Sequence, residues 1–151
     1  MFDASRYRKF HLIATIAVIA GLCGLGAFLY GGVLDAPFVF DDYTSIVHQN
    51  VIQPPITIGA ILDKYPSRFV PALTFAWNYA HAGANPTVFR ITNIAIHCIN
   101  ALLVYILCLL TMRTTHLMLR YSKPHKYCIA TACAFFFLAH PAQIQCVTYI
   151  T

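Results

Sequence analysis

The chain has 151 residues, of which 59% are hydrophobic and only 10% are charged. Ordinary soluble domains carry about 25% charged residues, so this composition excludes that class and predicts a membrane protein. The net charge of +5 does not indicate a nucleic-acid partner, because the basic residues are grouped beside apolar segments rather than along one binding groove.

Three apolar segments predict an all-α membrane protein with about three transmembrane helices. They cover residues 10–34, 89–112 and 127–140. About 20 apolar residues cross the core of a bilayer, so the first two segments are long enough. The first is also too long for a cleaved secretory signal, whose apolar region has about 7–15 residues. The third is short, and either its helix begins earlier, near Tyr121, or Pro141 marks its outer end with local thinning of the bilayer.

The distribution of basic residues predicts the orientation of these helices. Short loops on the cytoplasmic side of a membrane are enriched in Lys and Arg. Such residues precede the first span and occupy the loop between the second and third: Arg6, Arg8, Lys9, Arg113, Arg120, Lys123 and Lys126. We therefore expect the N-terminus and residues 113–126 in the cytoplasm, with residues 35–88 and 141–151 outside or in the lumen. This arrangement fits a bacterial inner membrane or the endoplasmic reticulum.

The long outer loop, residues 35–88, is expected to contain structure of its own because plain connections are much shorter. A short helix is predicted for residues 56–64, with Thr57 as its cap. A second is predicted for residues 71–82, with a proline in its first turn and Gly83 just beyond its end. The second helix combines apolar and aromatic side chains with few charges: Leu73, Phe75, Trp77 and Tyr79. Such a helix either lies at the level of the lipid headgroups or packs on the outer ends of the membrane helices.

Asp41 and Asp42 stand side by side just past the first span. Adjacent carboxylates repel each other, which favours protonation of one of them and suits a general base in proton transfer. The alternative is an exposed turn whose carboxylates simply meet water. Their position at the surface of the membrane favours the functional interpretation.

A row of polar residues follows one face of the second span. Its members are separated by steps of three, four and three residues, which is helical spacing: Arg90, Asn93, His97 and Asn100. Polar side chains in a membrane helix usually face the bundle interior or a wet cavity and often mark function. They also form hydrogen bonds between helices that only fix packing. Arg90, at the outer end, meets an anionic group or reaches the headgroups, and His140 is a further polar candidate on the outer side.

Four segments occur along the chain in a recognisable order. They are FVFDD (residues 38–42, followed by Ile46 and Asn50), RFVPALTFAWN (68–78), FRITNIAIHCINALLVY (89–105) and AFFFLAHPAQIQCVTYI (134–150). Together they resemble the N-terminal membrane region of a family of polytopic membrane glycosyltransferases. Members of that family commonly carry tetratricopeptide repeats toward the C-terminus, have the GT-C fold and are similar to protein O-mannosyltransferases.

The resemblance implies transfer of a sugar from a polyprenyl-phosphate carrier to a protein Ser or Thr hydroxyl on the outer or luminal face. It implies that Asp41 or Asp42 is the catalytic base and that Arg68 and Arg90 bind the substrate phosphate. A divalent cation, Mg²⁺ or Mn²⁺, held by the two Asp is compatible with that chemistry, although two carboxylates alone hold such ions weakly. The implied partners are membrane lipid, the lipid-linked sugar and the protein acceptor.

On this interpretation residues 1–151 are the truncated N-terminal part of a GT-C domain. Three helices do not enclose a pocket for a lipid-linked sugar, so we expect them to be inactive without the missing C-terminal helices or partner membrane helices. A different hypothesis is a small non-catalytic membrane protein that binds a partner helix or a lipid-linked ligand. Gly21, Gly24 and Gly26 favour it, because small residues let membrane helices pack closely. A transporter fragment ranks below both, since the chain shows no inverted repeat.

Overall fold

The computed structural model describes residues 4–114 and 121–150, with side chains described from residue 12 onward. Within those ranges every regular element is helical and no strand occurs, which confirms the all-α prediction. The α-helices of the described ranges are α1 (Ala4–Tyr30), α2 (Ile58–Lys64), α3 (Phe69–Ala82), α4 (Pro86–Thr111), α5 (Lys123–Ala139) and α6 (Ile144–Thr148). Short 3-10 turns and one π-helical turn, Tyr43–Val47, connect them.

Two helical segments are long and apolar enough to cross a bilayer. They are Leu12–Val33, which includes most of α1, and Pro86–Thr111, which is α4. A third span exists only if α5 and the helical segment Pro141–Thr148 are counted as one, and these two are bent by 50° at His140. The prediction of two long spans and one short third segment is therefore confirmed.

Both long segments present apolar side chains outward, as lipid-facing helices do. The exposed apolar residues of α1 and α4 include Leu12, Ile13, Ile16, Phe28, Ile91, Ile99, Leu103 and Leu107. In water such a continuous apolar surface would favour aggregation. A hydrocarbon environment removes that cost.

The chain forms two compact units. The first, here called the helical unit, comprises Met1–Gly31 and Ile94–Ile144. Its core contains mainly small and aliphatic residues of α1, α4 and α5: Leu22, Ala101, Tyr105, Ala130, Ala134 and Leu138. A Cβ added at Gly21 would lie 2.8 Å from the ring of Phe135, and one at Gly26 would lie 2.8 Å from Sγ of Cys98. Those two glycines therefore allow α1 to approach α5 and α4 closely.

The second, here called the loop unit, comprises Gly32–Asn93 and Gln145–Thr151. Its core is apolar and draws on α2, α3, the start of α4 and the segments around them: Phe38, Ile46, Ile52, Ile61, Ala72, Ala76, Phe89 and Ile150. The long outer loop predicted from the sequence thus has a hydrophobic core of its own.

The helices of the loop unit begin close to the predicted positions. Thr57 stands at the N-cap of α2, but its side chain makes no capping hydrogen bond. α3 begins at Phe69, two residues before the predicted start, because the 3-10 turn Pro66–Arg68 leads directly into it. Its proline lies in the first turn, where the missing N–H has no helical partner in any case. Gly83 ends the helix with φ +61° and donates its N–H to the carbonyl of Tyr79 at 2.7 Å.

Helices α4 and α5 start before the apolar runs at residues 89 and 127 because of residues at their N-termini. α4 starts at Pro86 rather than residue 89, since the Asn85 side chain accepts a hydrogen bond from the Thr87 N–H at 3.1 Å. An Asn cap followed by proline at the first helical position is a strong start signal. α5 starts at Lys123, again with proline in its first turn, which agrees with the predicted alternative of a helix that begins before residue 127, near Tyr121.

Candidate functional site

The two adjacent carboxylates lie on a tight turn that Asp42 closes. The Val39 N–H donates to the Asp42 carboxylate at 3.1 Å, and the Asp42 N–H donates to the Val39 carbonyl at 3.1 Å. Between them Phe40 adopts φ +45°, in the left-handed region, with its side chain 81% exposed. Backbone strain of this kind at a non-glycine residue persists only where surrounding contacts determine it. Here the paired contacts between Val39 and Asp42 impose it.

The turn gives Asp41 and Asp42 different surroundings. Asp42 is only 1% exposed and its carboxylate is used by the turn. Asp41 is exposed. Of the predicted pair, the Asp41 carboxylate is therefore open to a substrate, while the Asp42 carboxylate holds the backbone.

A pocket of about 270 Å³ lies in the loop unit. It is lined by Ser45, Ile52, Tyr65, Arg68, Pro71, Ala72, Phe75 and Ile150. Its walls are mainly apolar, and Ser45, Tyr65 and the exposed Arg68 add a hydroxyl, a phenol and a guanidinium. Neither Asp belongs to the described lining, but Ser45 follows Asp41 by about one helical turn, which places both on the same side of that segment.

Arg90 is almost fully buried, at 2% exposed, and it donates to backbone carbonyls on two segments. Its guanidinium donates to the carbonyls of Leu34 at 3.2 Å and Pro37 at 2.8 Å, and also to that of Ala36. Its Nε donates to the carbonyl of Thr148 at 3.3 Å. These bonds tie the chain that leaves α1, and the C-terminal end of α6, to the start of α4. A phosphate bound by Arg90 would have to replace some of these backbone carbonyls as hydrogen-bond acceptors. Phosphate binding by Arg90 therefore stays a prediction.

The rest of the predicted polar row divides between hydrogen-bonded and exposed positions. Asn93 donates its side-chain N–H to the carbonyl of Tyr149 at 3.2 Å. His97 is buried, and its Nε2 donates to the carbonyl of Leu138 at 3.1 Å. Asn100 is exposed. For Asn93 and His97 the contacts match the alternative in which polar side chains fix helix packing.

Tyr30 is a partner of His97 that sequence reasoning missed. Its hydroxyl donates to the same Leu138 carbonyl at 3.0 Å, and its ring stands edge-on to His97 with centroids 5.7 Å apart. Leu138 lies in the last turn of α5, where carbonyls lack helical partners. The only sequence signal was a tyrosine at the end of an apolar span. Tyrosine is common there in any case, because its ring is favoured at the level of the lipid headgroups.

His140 caps the turn that follows α5. Its Nδ1 accepts a hydrogen bond from the Ala142 N–H at 3.2 Å, and its ring contacts that of Phe136 with centroids 5.2 Å apart. These contacts explain why a polar residue stands at the bend, and no bound ligand is needed for that explanation.

A divalent cation has few ligands here. Among the described residues no cluster of three or more His, Cys, Asp or Glu side chains could hold a metal ion. Asp42 already accepts a backbone hydrogen bond, so Asp41 would be the main protein ligand. Mg²⁺ requires about six oxygen ligands and often takes several from substrate phosphate and water. The two Asp therefore fit such an ion only together with a bound phosphate.

Comparisons of the chain with protein-family models, with curated proteins and with solved structures find no match. The resemblance to membrane glycosyltransferases accordingly rests on the four sequence segments given above.

Proposed function

We propose that this chain is the N-terminal membrane portion of a GT-C glycosyltransferase. The enzyme would move a sugar from a polyprenyl-phosphate carrier to a protein Ser or Thr hydroxyl on the outer or luminal face. The observation that carries the proposal is the exposed carboxylate of Asp41. It lies one helical turn before Ser45, and Ser45 lines a pocket that the exposed Arg68 also lines. Transfer from a phosphate leaving group requires a base and a cation, and here the base belongs to a segment that lines the pocket containing the cation.

In the proposed reaction the acceptor hydroxyl oxygen attacks the anomeric carbon of the sugar. The bond from that carbon to the phosphate oxygen breaks as the new glycosidic bond forms. Asp41 takes the hydroxyl proton, which makes the oxygen a better nucleophile. Arg68 stabilises the negative charge that stays on the departing polyprenyl phosphate.

The size of the pocket supports a headgroup as its occupant. Sites for whole small molecules usually enclose about 300–1,000 Å³, and this pocket of about 270 Å³ is slightly smaller. A phosphate with part of a sugar fits that space, whereas the polyprenyl tail belongs in the surrounding lipid. Helices beyond these 151 residues would complete the enclosure.

The alternative of a non-catalytic membrane protein is now supported mainly by the pocket. Gly21 and Gly26, which suggested a partner helix, contact Phe135 and Cys98 of the same chain. A Cβ added at Gly24 would meet no atom of the described residues within 4 Å outside the local backbone, so Gly24 is the glycine that could still face a partner helix. Binding of a lipid-linked ligand without transfer remains the competing function.

Separate Asp41→Asn and Asp42→Asn variants test the assignment of the base. Transfer from a polyprenyl-phosphate sugar to peptide hydroxyls is measured in membranes that contain the protein expressed from its natural reading frame. Asp41→Asn should lower the transfer rate by about 10²–10⁴-fold, the usual contribution of a general base. Asp42→Asn should have a much smaller effect, because an amide oxygen still accepts the Val39 N–H. Full activity of Asp41→Asn would overturn the assignment.

Asp63→Asn is the matched control, because Asp63 is exposed on α2 and the substitution makes the same chemical change. It should transfer sugar at the parental rate and insert into membranes in the same amount. The coding sequence downstream of Thr151 gives an independent test. Further apolar spans followed by helical repeats would support the transferase. A stop codon there would favour the non-catalytic alternative.

A further inference from the structure

α3 has one apolar face that the rest of the loop unit leaves uncovered. Val70, Leu73 and Trp77 are spaced by three and four residues and are 68%, 36% and 67% exposed. Ala72 and Ala76, on the opposite side of the helix, are buried at 4% and 0%. The helix therefore packs on the core through Ala72, Ala76, Phe75 and Tyr79 and presents a second apolar face outward, unlike a helix on the surface of a soluble domain.

No Asp, Glu, Lys or Arg interrupts this face. Thr74 and His81 are its other members by helical spacing, and the rings of His81 and Trp77 stack with centroids 4.4 Å apart. The nearest cations are Lys64 and Arg68, which lie just before the helix begins. Aromatic and aliphatic side chains with flanking cations are typical of helices in the interfacial region of a bilayer.

The contacts of α3 hold it against the first turns of α4. α4 has 26 residues and is about 39 Å long, whereas the hydrocarbon core is about 30 Å thick. About 9 Å of its length therefore exceeds the core, and we assign its first turns, which carry Arg90 and Asn93, to the headgroup region. The ring of Phe75 contacts that of Phe89 with centroids 6.0 Å apart, and the Thr92 hydroxyl donates to the Asn78 side chain at 3.0 Å. Both contacts are made to those first turns.

The connection between the two helices gives the same depth. α3 ends at Ala82 and α4 begins at Pro86, so three residues join them. Such a connection reaches at most about 14 Å. The C-terminal end of α3, which carries Trp77 and His81, therefore stays close to the end of a membrane span.

We propose that the Val70–Leu73–Trp77 face of α3 is seated in the interfacial region of the lipid bilayer. The partner is the lipid itself, with acyl-chain carbons next to Val70 and Leu73 and headgroups near Trp77 and His81. The proposal holds for either orientation of the spans and does not depend on sugar transfer.

Trp77 is the only tryptophan in the chain and reports directly on this face. The full chain is reconstituted into lipid nanodiscs in which the phosphatidylcholine acyl chains carry bromine at a shallow or a deep position. Bromine quenches tryptophan emission only at short range. Because interfacial helices sit about 5–10 Å below the headgroups, we expect shallow bromine to lower the emission by roughly half or more. Deep bromine should lower it less, and acrylamide in the water should have little effect.

Two results would overturn the proposal. Quenching by acrylamide without quenching by bromolipid would show that the face is in water. Protection from both quenchers would show that another protein segment covers it. A second reporter, Val70→Trp in a Trp77→Phe background, tests the other end of the face and should also be quenched by shallow bromine. The Trp77→Phe variant alone supplies the background signal.

Discussion

Replacing Arg90 should destabilise the fold far more than replacing Arg68, although the sequence resemblance assigns both arginines to the same task, phosphate binding. Arg90 is buried and donates to the carbonyls of Leu34, Ala36, Pro37 and Thr148. Arg90→Met keeps the apolar stem of the side chain and removes all of these bonds. Arg68 is exposed, so Arg68→Met makes the same chemical change with little to lose.

The magnitude follows from the number of acceptors. A hydrogen bond contributes about 1 kcal/mol net, and one with a charged donor about 1.5–3 kcal/mol. These four hydrogen bonds are only partly buried, so water replaces some of them when the guanidinium is removed. We therefore use about 1 kcal/mol for each bond. We expect Arg90→Met to reduce the free energy of unfolding by roughly 4 kcal/mol, a large share of the ~5–15 kcal/mol typical of a domain.

Arg90→Lys should recover only part of this loss. An ammonium group has three donors around one point and does not reproduce the planar fork of a guanidinium, so it reaches about half of the carbonyls. The free energies are measured by unfolding in mixed detergent micelles with increasing denaturing detergent. Arg68→Met should change stability by less than about 0.5 kcal/mol, as surface substitutions usually do. Equal stabilities of Arg90→Met and Arg68→Met would refute the role assigned to Arg90.

Three further substitutions test other contacts by the same unfolding measurement. Gly21→Ala should destabilise by about 1–3 kcal/mol through overpacking against α5, whereas Gly24→Ala, with open space around it, should be neutral or stabilising by up to about 1 kcal/mol; equal effects would contradict the packing. Tyr30→Phe and His97→Ala should be coupled by about 0.5 kcal/mol or more in a double-mutant cycle, because both side chains donate to one carbonyl, and additive effects would rule that out. Phe40→Gly should stabilise by roughly 0.5–1 kcal/mol by relieving the left-handed backbone, and a loss of stability would show that the ring has a partner.

The spans and the approximate helix limits could be predicted from the sequence because they depend on local properties. Length and hydropathy identify α1 and α4, and proline and glycine mark the limits of α3. The starts of α4 and α5 ahead of their apolar runs also have a local cause. The helix-start signals lie outside the apolar runs, so hydropathy alone does not detect them. They are Asn85-Pro86 for α4 and Ser122 with Pro124 for α5.

The difference between Asp41 and Asp42 could not be predicted, because it depends on the backbone at Phe40. The two residues are adjacent and identical, so the sequence alone gives no reason to expect one carboxylate to be buried and the other exposed. The left-handed φ of Phe40 turns the chain so that the Asp42 carboxylate meets the Val39 N–H. A non-glycine residue adopts that conformation only when other contacts hold it there, and here those contacts are the paired hydrogen bonds between Val39 and Asp42.

The polar row on α4 shows why polar residues in an apolar helix are ambiguous evidence for a substrate site. Arg90, Asn93 and His97 each donate to a main-chain carbonyl at or near the end of another helical segment. Helix ends leave up to four carbonyls without helical partners, and water does not reach those within a bilayer. Side chains with N–H groups on a neighbouring helix satisfy them. A row of donors in a span that packs beside broken or terminating helices is therefore expected for structural reasons alone. The groups to test for chemistry are those whose charge stays exposed, Asp41 and Arg68.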